Sequence, residues 1–286
     1  MNQVDKQTWF DEAAEEYPPE LYRYSALAPG VDGFDAATDE QIERFHEQGY
    51  LVIHNAFTPD ETHAALEGLL DLVEGKNAEF RGIQFEAKAR DALAVLPLER
   101  KQDAVRKFWH FIDYDARLKA LSEHPKLMEV LSRLIGDVPE LFQDMALFKP
   151  PLIGREKPWH QDHAYFNLPL GTAVVSAWIA LDEATLENGC MQVIPGSHRK
   201  GPVVHFKRRD WQICDAHVAA ESSVAVPLGP GGCLLFHGLL HHGTPANRSP
   251  KRRRAVQFHY KPSTVGWTTE EDRLSIFGSE GKDVAC

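Results

Sequence analysis

The first third of the chain carries apolar residues at helical spacing. The segment Thr58-Pro59-Asp60-Glu61 combines an N-cap threonine, a proline at the first helical position and a glutamate three residues after the cap, which is a strong helix start. A buried stripe of leucine and valine at 127–134 has the same helical period. The pattern predicts a helix from Asp39 that ends at Gly49, a short strand over 50–53, a helix that begins at Thr58, and two or three helices within 98–135.

After Gly136 the pattern changes to short β-like runs that Pro, Gly and Asn interrupt. Asn188-Gly189, between two of these runs, is typical of a hairpin turn because both residues tolerate positive φ. Regular short runs without intervening helices predict an antiparallel sandwich or barrel. We therefore predict a mainly β fold with α, in which a helical N-terminal third packs on a barrel. The runs are 140–149, 173–182, 190–195, 223–227, 232–237 and 252–260.

The predicted elements form one folding unit. Residues 1–36 are rich in Pro, Gly and acidic residues and are predicted to be an irregular lead-in. A single domain then spans 37–286, with its helical part at about 37–136 and its barrel at about 137–262. No pattern assigns a role to 76–106, 200–225 or 264–286, and the first two of these are expected to form a lid.

Composition and charge exclude several function classes. The formal charge of -11 over 286 residues disfavours nucleic-acid binding, which needs surplus Lys and Arg. No apolar run approaches the roughly 20 residues of a membrane helix, and the N-terminus lacks the apolar segment of a secretory signal. Four scattered cysteines without a CxxC pattern favour reduced thiols. We therefore expect a cytoplasmic protein, monomer or homodimer, that binds neither nucleic acid nor membrane.

Two histidine-containing segments carry candidate chemistry. In His160-Gln161-Asp162, an imidazole and a carboxylate two residues apart in extended chain project from one face and can reach one metal ion. Such a triplet alone is weak evidence, because a solvated loop histidine beside an acid is more common. A second cluster over 237–242, followed by an Arg-rich strand, offers a third imidazole. Two histidines and one carboxylate on one side of a metal suit non-haem Fe(II) that activates oxygen.

The Arg-rich strand 252–260 alternates between two kinds of face. Arg253, Ala255, Gln257 and His259 share a small, polar face, as expected for a cavity lining. The opposite face is apolar apart from two arginines, as expected for a layer packed against helices. This alternation and the acidic chain disfavour a nucleic-acid patch here. Gln143, Met145, Leu147 and Lys149 also share one face, which either lines the pocket or belongs to the core.

The order and spacing of several motifs resemble the phytanoyl-CoA dioxygenase family of Fe(II)/2-oxoglutarate oxygenases. The resemblance runs from about residue 39 to Tyr260. It implies a double-stranded β-helix core, that is, a cupin-like jelly roll. The motifs are Gln143-Asp144-Met145 with Lys149-Pro150, His160-Gln161-Asp162, Ala177-Trp178, Glu187-Asn188-Gly189-Cys190, Pro195-Gly196-Ser197-His198, and His242-Gly243 with Asn247 and Arg253.

The resemblance implies a role for each matching residue. His160, Asp162 and His242 correspond to the iron ligands, and Arg253 corresponds to the residue that holds the distal carboxylate of 2-oxoglutarate. The other implied co-substrate contacts are Thr244, Trp178, Met145, Gln161 and Lys107, the last reaching the pocket from the helical region. The implied reaction consumes 2-oxoglutarate and O2, hydroxylates an aliphatic C–H of a small molecule, and releases succinate and CO2. The carboxylate of Asp162 favours hydroxylation over halogenation, because halogenating relatives need an open position there.

Other interpretations of the same residues stay open. His163, His237 and His241 are expected to be hydrogen-bonded barrel residues and not ligands. Tyr165, Asn167, Gln257 and His259 are candidates to face the substrate. A zinc-dependent hydrolase or isomerase on a similar barrel is one alternative function, and a barrel that binds without turnover is another. The identity of the substrate does not follow from the fold.

Overall fold

The computed structural model of the chain describes residues 8–278, and it is built mainly from short strands with helices on one side. The helices are α1 (Asp39–Gln48), α2 (Pro59–Val73), α3 (Ala116–Ser122), α4 (Pro125–Ile135) and α5 (Glu270–Phe277). The strands are β1 (Trp9–Phe10), β2 (Ala26–Leu27), β3 (Val31–Asp32), β4 (Tyr50–His54), β5 (Ile83–Phe85), β6 (Val105–Trp109), β7 (Pro139–Lys149), β8 (Lys157–His160), β9 (Val175–Ala180), β10 (Met191–Val193), β11 (His205–Lys207), β12 (Trp211–Ile213), β13 (Val224–Val226), β14 (Cys233–His237), β15 (His242–Thr244) and β16 (Arg253–Pro262). None of these helices is long and apolar enough to cross a membrane.

Two larger sheets face each other. The nine-stranded sheet has the order β1-β5-β6-β7-β16-β9-β14-β4-β3, and the five-stranded sheet has the order β2-β13-β10-β15-β8. Strands β11 and β12 form a separate hairpin. Most pairings are antiparallel, which confirms the predicted β architecture, and the arrangement is that of a jelly roll.

Alternation along the strands separates a helix-facing layer from an interior layer. Val256 and Phe258 of β16 pack in one apolar cluster with Phe45 of α1, Leu69 of α2 and Leu131 of α4. A second cluster fills the space between the two sheets, around Trp178 and Leu234 of the large sheet and Val193 and Ala225 of the smaller sheet. The helices therefore cover the outer face of the large sheet, as predicted, and leave its inner face to the site.

Local signals place α1 and α2 where the sequence predicts them. Gly49 ends α1 in the left-handed conformation with φ 83°, and a side chain there would collide with His198. Only glycine meets both conditions. At the start of α2, Thr58 and Glu61 form the reciprocal capping box, with Pro59 at the first helical position.

Removal of the α2 cap tests this assignment. We expect Thr58→Ala to lower the free energy of unfolding by about 1 kcal/mol, because the Glu61 amide loses the hydroxyl that it donates to. Thr58→Ser keeps the hydroxyl and is expected to retain nearly all of the stability. Urea unfolding followed by circular dichroism measures the difference. Equal stability of the Ala and Ser variants would contradict the capping role.

Two local predictions are wrong. Residues 105–109 are not helical but form β6, which pairs with β5 and β7. Asn188-Gly189 does not connect paired strands, because β9 and β10 lie in different sheets. Gly189 has φ 86° in a crossover, where Asn188 binds the backbone of Thr185 and Glu183.

The lead-in and the cysteines also differ from expectation. Within 8–36, three two-residue strands pair with β5, β13 and β4, so this segment extends the sheets. Cys190 and Cys233 are buried free thiols. Cys214 takes part in a disulfide bond, so the prediction of reduced thiols is wrong at this position.

Candidate metal and co-substrate site

Pairing between β8 and β15 brings the predicted ligands together. His160 ends β8 and lies directly opposite His242, the first residue of β15, with ring centroids 4.1 Å apart. Gln161 is extended, and Asp162 then begins a 3-10 turn. One donor atom from each of His160, Asp162 and His242 lies within 4.8 Å of the others, and all three residues are buried. The structure therefore brings together the three residues that the sequence suggests as ligands, and His241 is not among them.

Hydrogen bonds at Nδ1 orient both imidazoles. The Nδ1 of His160 lies 2.7 Å from the carbonyl oxygen of Pro158, and the Nδ1 of His242 lies 2.9 Å from that of Leu240. A carbonyl only accepts, so each Nδ1 carries a proton, and Nε2 is the nitrogen that each ring offers to a metal. Burial, followed by the neighbouring His242 and Lys157, lowers the pKa of His160 to about 3, so this imidazole is neutral at physiological pH.

The two Nε2 atoms point at one oxygen of Asp162. They lie 3.3 Å and 3.4 Å from its Oδ1. Burial alone would raise the pKa of Asp162, but the nearby His242 and His259 hold it well below its usual range. Two imidazole nitrogens and one carboxylate oxygen therefore converge on one position. Two imidazoles with a carboxylate are the donor set that non-haem Fe(II) prefers.

Three other side chains bind Oδ2, the second carboxylate oxygen of Asp162. Ser176 donates its hydroxyl to Oδ2 at 2.7 Å, and the Nε2 atoms of Gln257 and His259 both lie 3.1 Å from it. These contacts leave Oδ1 to the metal position. Gln257 and His259, which the sequence suggests as substrate-facing, line the cavity and also support Asp162. Ser176 was not predicted, although the alternation that selects Trp178 in β9 places Ser176 on the same face.

Arg253 forms the second part of the site. It lies opposite Lys149 of β7, is 2% exposed, and stacks over Trp178 with its guanidinium carbon 5.4 Å from the ring centroid. Within the described residues its side chain makes one hydrogen bond, at 3.2 Å, to the carbonyl of Leu147. No carboxylate pairs with it among residues 8–278, and burial lowers its pKa only to about 10, so it keeps its charge.

Two polar atoms in this part of the site lack partners. The Nε of Arg253 and the Oγ1 of Thr244 are buried and make no hydrogen bond within the described residues. Leaving a buried cation and a buried hydroxyl unpaired is unfavourable. Both residues line one cavity, and a guanidinium and a hydroxyl are donors that suit a carboxylate, as expected for the distal end of 2-oxoglutarate.

One cavity of about 900 Å3, including its open mouth, connects the two parts. Register across β7 and β16 pairs Leu147 with Ala255, Met145 with Gln257, and Gln143 with His259, so these side chains share the inner face. Gln143, Met145 and Leu147 line the cavity. This face of β7 therefore lines the pocket and does not belong to the core. Lys107 and Tyr165 also line it. Lys107 does so from β6, not from a helix.

Several predicted contacts are not made. The side chain of Gln161 lies outside the cavity and binds the backbone of Gly201, Leu239 and Val203, so it positions loops and does not touch the co-substrate site. Asn167 also lies outside, with its Oδ1 accepting from Arg273. Trp178 is completely buried beneath Arg253 and supports it without lining the cavity.

The other histidines are not members of the donor set. His163 Nε2 lies 3.3 Å from the carbonyl of Leu168, and His237 Nδ1 accepts from the amide of Leu239, as predicted. His241 Nε2 is buried and has no hydrogen-bond partner within residues 8–278, so the expectation of a hydrogen-bonded imidazole is wrong there. Sequence patterns also missed Lys157, which lines the cavity but lies on a strand that they did not predict.

A jelly roll that presents this donor set beside an unpaired, buried guanidinium defines a class of enzyme. The class is that of the non-haem Fe(II)/2-oxoglutarate-dependent dioxygenases, in which three protein ligands leave open metal positions for the co-substrate and O2. Comparison with known proteins identifies the family. The profile of the phytanoyl-CoA dioxygenase (PhyH) family matches residues 45–255, and the chain belongs to this family.

Curated relatives and solved structures agree with this assignment. The chain is 30% identical to phytanoyl-CoA dioxygenase 1 of Oryza sativa subsp. japonica, over 78% of this chain and 88% of the relative. It is 27% identical to phytanoyl-CoA dioxygenase domain-containing protein 1 of Danio rerio, over 82% of this chain and 94% of the relative. In fold it is similar to the non-heme alpha ketoglutarate dependent carbocyclase SnoK from nogalamycin biosynthesis, with a TM-score of 0.65 and 22% identity. The match covers 88% of this chain and 96% of that structure.

Proposed function

We propose that His160, Asp162 and His242 hold Fe(II), and that the protein hydroxylates an aliphatic C–H of a small molecule. The observation that carries the proposal is the convergence of two imidazole nitrogens and one carboxylate oxygen on one point. When bound, Fe(II) with 2-oxoglutarate and O2 supplies the oxidising power and yields succinate and CO2. The protein supplies ligand geometry and exclusion of water.

In this proposal Arg253 and Thr244 bind the distal carboxylate of 2-oxoglutarate. The guanidinium offers its Nε and the threonine its hydroxyl, both of which lack partners. Met145 lines the same cavity and would contact the carbon chain of the co-substrate. Ser176, Gln257 and His259 hold Asp162 so that one carboxylate oxygen faces the metal.

The alternatives fit the same residues less well. A zinc hydrolase needs a general base beside the metal, and Asp162 is the only carboxylate among the described residues that line the cavity. A barrel that only binds would have no need for an intact donor set. The acidic chain offers no broad basic surface for the phosphates of coenzyme A, which favours a small metabolite. The cytoplasmic location and the monomeric or dimeric state stay predictions.

Adjacent histidines provide a matched test of the metal centre. We expect anaerobic addition of Fe(II) and 2-oxoglutarate to produce a weak visible charge-transfer band, which Zn(II) would not produce. His242→Ala should lose the band, because one of the three ligands is gone. His241→Ala should keep it, because this residue lies outside the donor set. A band that survives in His242→Ala and disappears in His241→Ala would overturn the ligand assignment.

A further inference from the structure

The two ends of the cavity differ in charge. Cavity-facing side chains of β7 and β16 form opposed pairs along the two strands. Lys149 and Arg253 are the pair at one end of this row, and Gln143 and His259 are the pair at the other end. At about 3.4 Å per residue, the two ends are roughly 20 Å apart along the strands. The two ends can therefore bind different molecules.

The end that contains Arg253 suits the co-substrate. Arg253 has no anionic partner among residues 8–278, and Lys107 forms no ion pair there either. Lys107 lies opposite Leu147, one step along the row from the pair of Lys149 and Arg253. Both free cations are therefore placed to bind 2-oxoglutarate, which is a dianion, and the family resemblance assigns Lys107 to the same ligand. With the co-substrate bound, neither cation remains for the substrate.

Four other basic side chains line the cavity, and each is engaged within the protein. The partners are Asp11 for Arg106 and Arg155, Asp210 for Lys157, and the carbonyl oxygen of Arg155 for Lys149. None of these four side chains is therefore free to bind a charged group of the substrate.

The proposed metal position lies towards the Gln143 end of the row. The Nε2 atoms of Gln257 and His259 both lie 3.1 Å from Oδ2 of Asp162, and Gln143 lies directly opposite His259. The co-substrate therefore approaches the metal from the Arg253 end. The region around Gln143 is left for the substrate.

Two polar groups at the Gln143 end lack partners. The side-chain amide of Gln143 makes no hydrogen bond within residues 8–278, although it lines the cavity and is only partly exposed. Across the strand pair, Nδ1 of His259 is buried and has no partner in the same part of the chain. An amide offers both donors and an acceptor. A ligand group that both donates and accepts hydrogen bonds would match it.

Apolar side chains surround these two polar groups. Trp109 lies opposite Met145, and its ring stacks on that of Trp9 with centroids 4.5 Å apart. The ring of Phe166 meets that of His259 edge-on, with centroids 4.9 Å apart. Trp109, Met145 and Phe166 all line the cavity. This wall favours a ligand whose carbon skeleton is apolar.

A charged group would be unfavourable at the Gln143 end. Asp162 is the only carboxylate among the described residues that line the cavity, and it is a proposed metal ligand. An anion near Gln143 would lie close to this carboxylate without a free cation to pair with, and a cation would find no free anion. Burial of an unpaired charge is costly, so the polar group that binds here is neutral.

We propose that the substrate is a neutral, largely apolar molecule whose hydroxyl or amide group binds Gln143, which makes Gln143 a specificity-determining residue. This inference rests on the proposed function. The polar group fixes the molecule beside Asp162, and the carbon skeleton lies against Trp109 and Phe166. A C–H near the anchored group then faces the proposed metal position.

Ion-exchange separation of a cell extract tests the charge of the substrate. A methanol extract of the cells that produce the protein is divided at neutral pH into anionic, cationic and neutral fractions. Each fraction is added to the enzyme loaded with Fe(II) and 2-oxoglutarate under isotopically labelled O2. Compounds that acquire the label are identified by mass spectrometry.

We expect the label only in the neutral fraction, in a compound that carries a hydroxyl or amide group before it is oxidised. Label in the anionic or cationic fraction would overturn the inference, and a coenzyme A thioester, which is anionic, would be such a case. A neutral compound that lacks both groups would overturn it too, as would the absence of label from all fractions. Absence of the charge-transfer band from the wild-type enzyme would instead count against the proposed function.

Substitution of Gln143 tests its contact with the substrate. In Gln143→Leu, KM for the compound that acquires the label should rise roughly 5–30-fold, the range for loss of a neutral hydrogen bond that leaves its partner unpaired. KM for 2-oxoglutarate and the charge-transfer band should stay unchanged, because Gln143 lies at the opposite end of the row from Arg253. Gln41→Leu, on α1 and outside the cavity, is the matched control and should change neither KM. A rise in KM for 2-oxoglutarate in Gln143→Leu, or no rise in either KM, would overturn the role of Gln143.

Discussion

Replacing Asp162 with alanine is expected to abolish succinate release that depends on Fe(II). The substitution removes the only anionic ligand of the proposed set and leaves two imidazoles to hold the metal. It also leaves Ser176, Gln257 and His259 without their shared acceptor. Loss of an outer contact to a ligand typically weakens metal affinity about 10–100-fold, so loss of the ligand itself should exceed that range.

Calorimetric titration with Fe(II) under anaerobic conditions measures this effect, together with a succinate assay. Asp103→Ala is a suitable control, because Asp103 pairs with Arg252 and Arg100 away from the cavity. That variant should bind Fe(II) like the wild type, whatever its stability. Wild-type turnover by Asp162→Ala, with unchanged Fe(II) affinity, would refute the assignment of the metal centre.

Replacing Arg253 with methionine should weaken the binding of 2-oxoglutarate without lowering the stability of the fold. Removal of a charged partner from a buried pair costs about 2–5 kcal/mol, so KM for 2-oxoglutarate should rise by roughly two orders of magnitude or more. In the absence of 2-oxoglutarate the same variant should be as stable as the wild type or more stable. The reason is that the substitution removes a buried charge with no anionic partner.

Arg254 provides a matched control for the expected effects of the Arg253 substitution on stability and on KM. Arg254 lies on the opposite face of β16 and forms a bidentate ion pair with Asp182, with both distances 2.6 Å. Arg254→Met should lower thermal stability and leave KM for 2-oxoglutarate unchanged. Thermal unfolding with and without 2-oxoglutarate, beside succinate kinetics, distinguishes the two arginines. An Arg253→Met variant that loses stability but keeps its KM would show a purely structural role.

Much of the site could be predicted because its residues follow local rules. Alternation along a strand is a property of the backbone, so the faces assigned to Arg253 and Met145 agree with the observed register. Gln161 and Asn167 were misplaced because side-chain direction at a strand end or in a loop depends on the surrounding loops. The strand that carries Lys107 was missed because its five residues lie between helical stretches, and only pairing with β5 and β7 stabilises it as a strand.

By itself, the sequence determined the elements whose signals are local: the capped helices, the alternating strands, and the order of histidine, carboxylate, histidine and arginine. The tertiary structure decided which of these side chains meet. Strands β8 and β15 are four and three residues long and come together from positions about 80 residues apart, and no short-range pattern specifies such a pairing. Burial decided the rest. The guanidinium of Arg253 would be hydrated in an exposed loop, but it lies inside the cavity without an anionic partner among the described residues. A bound ligand must therefore supply the anion.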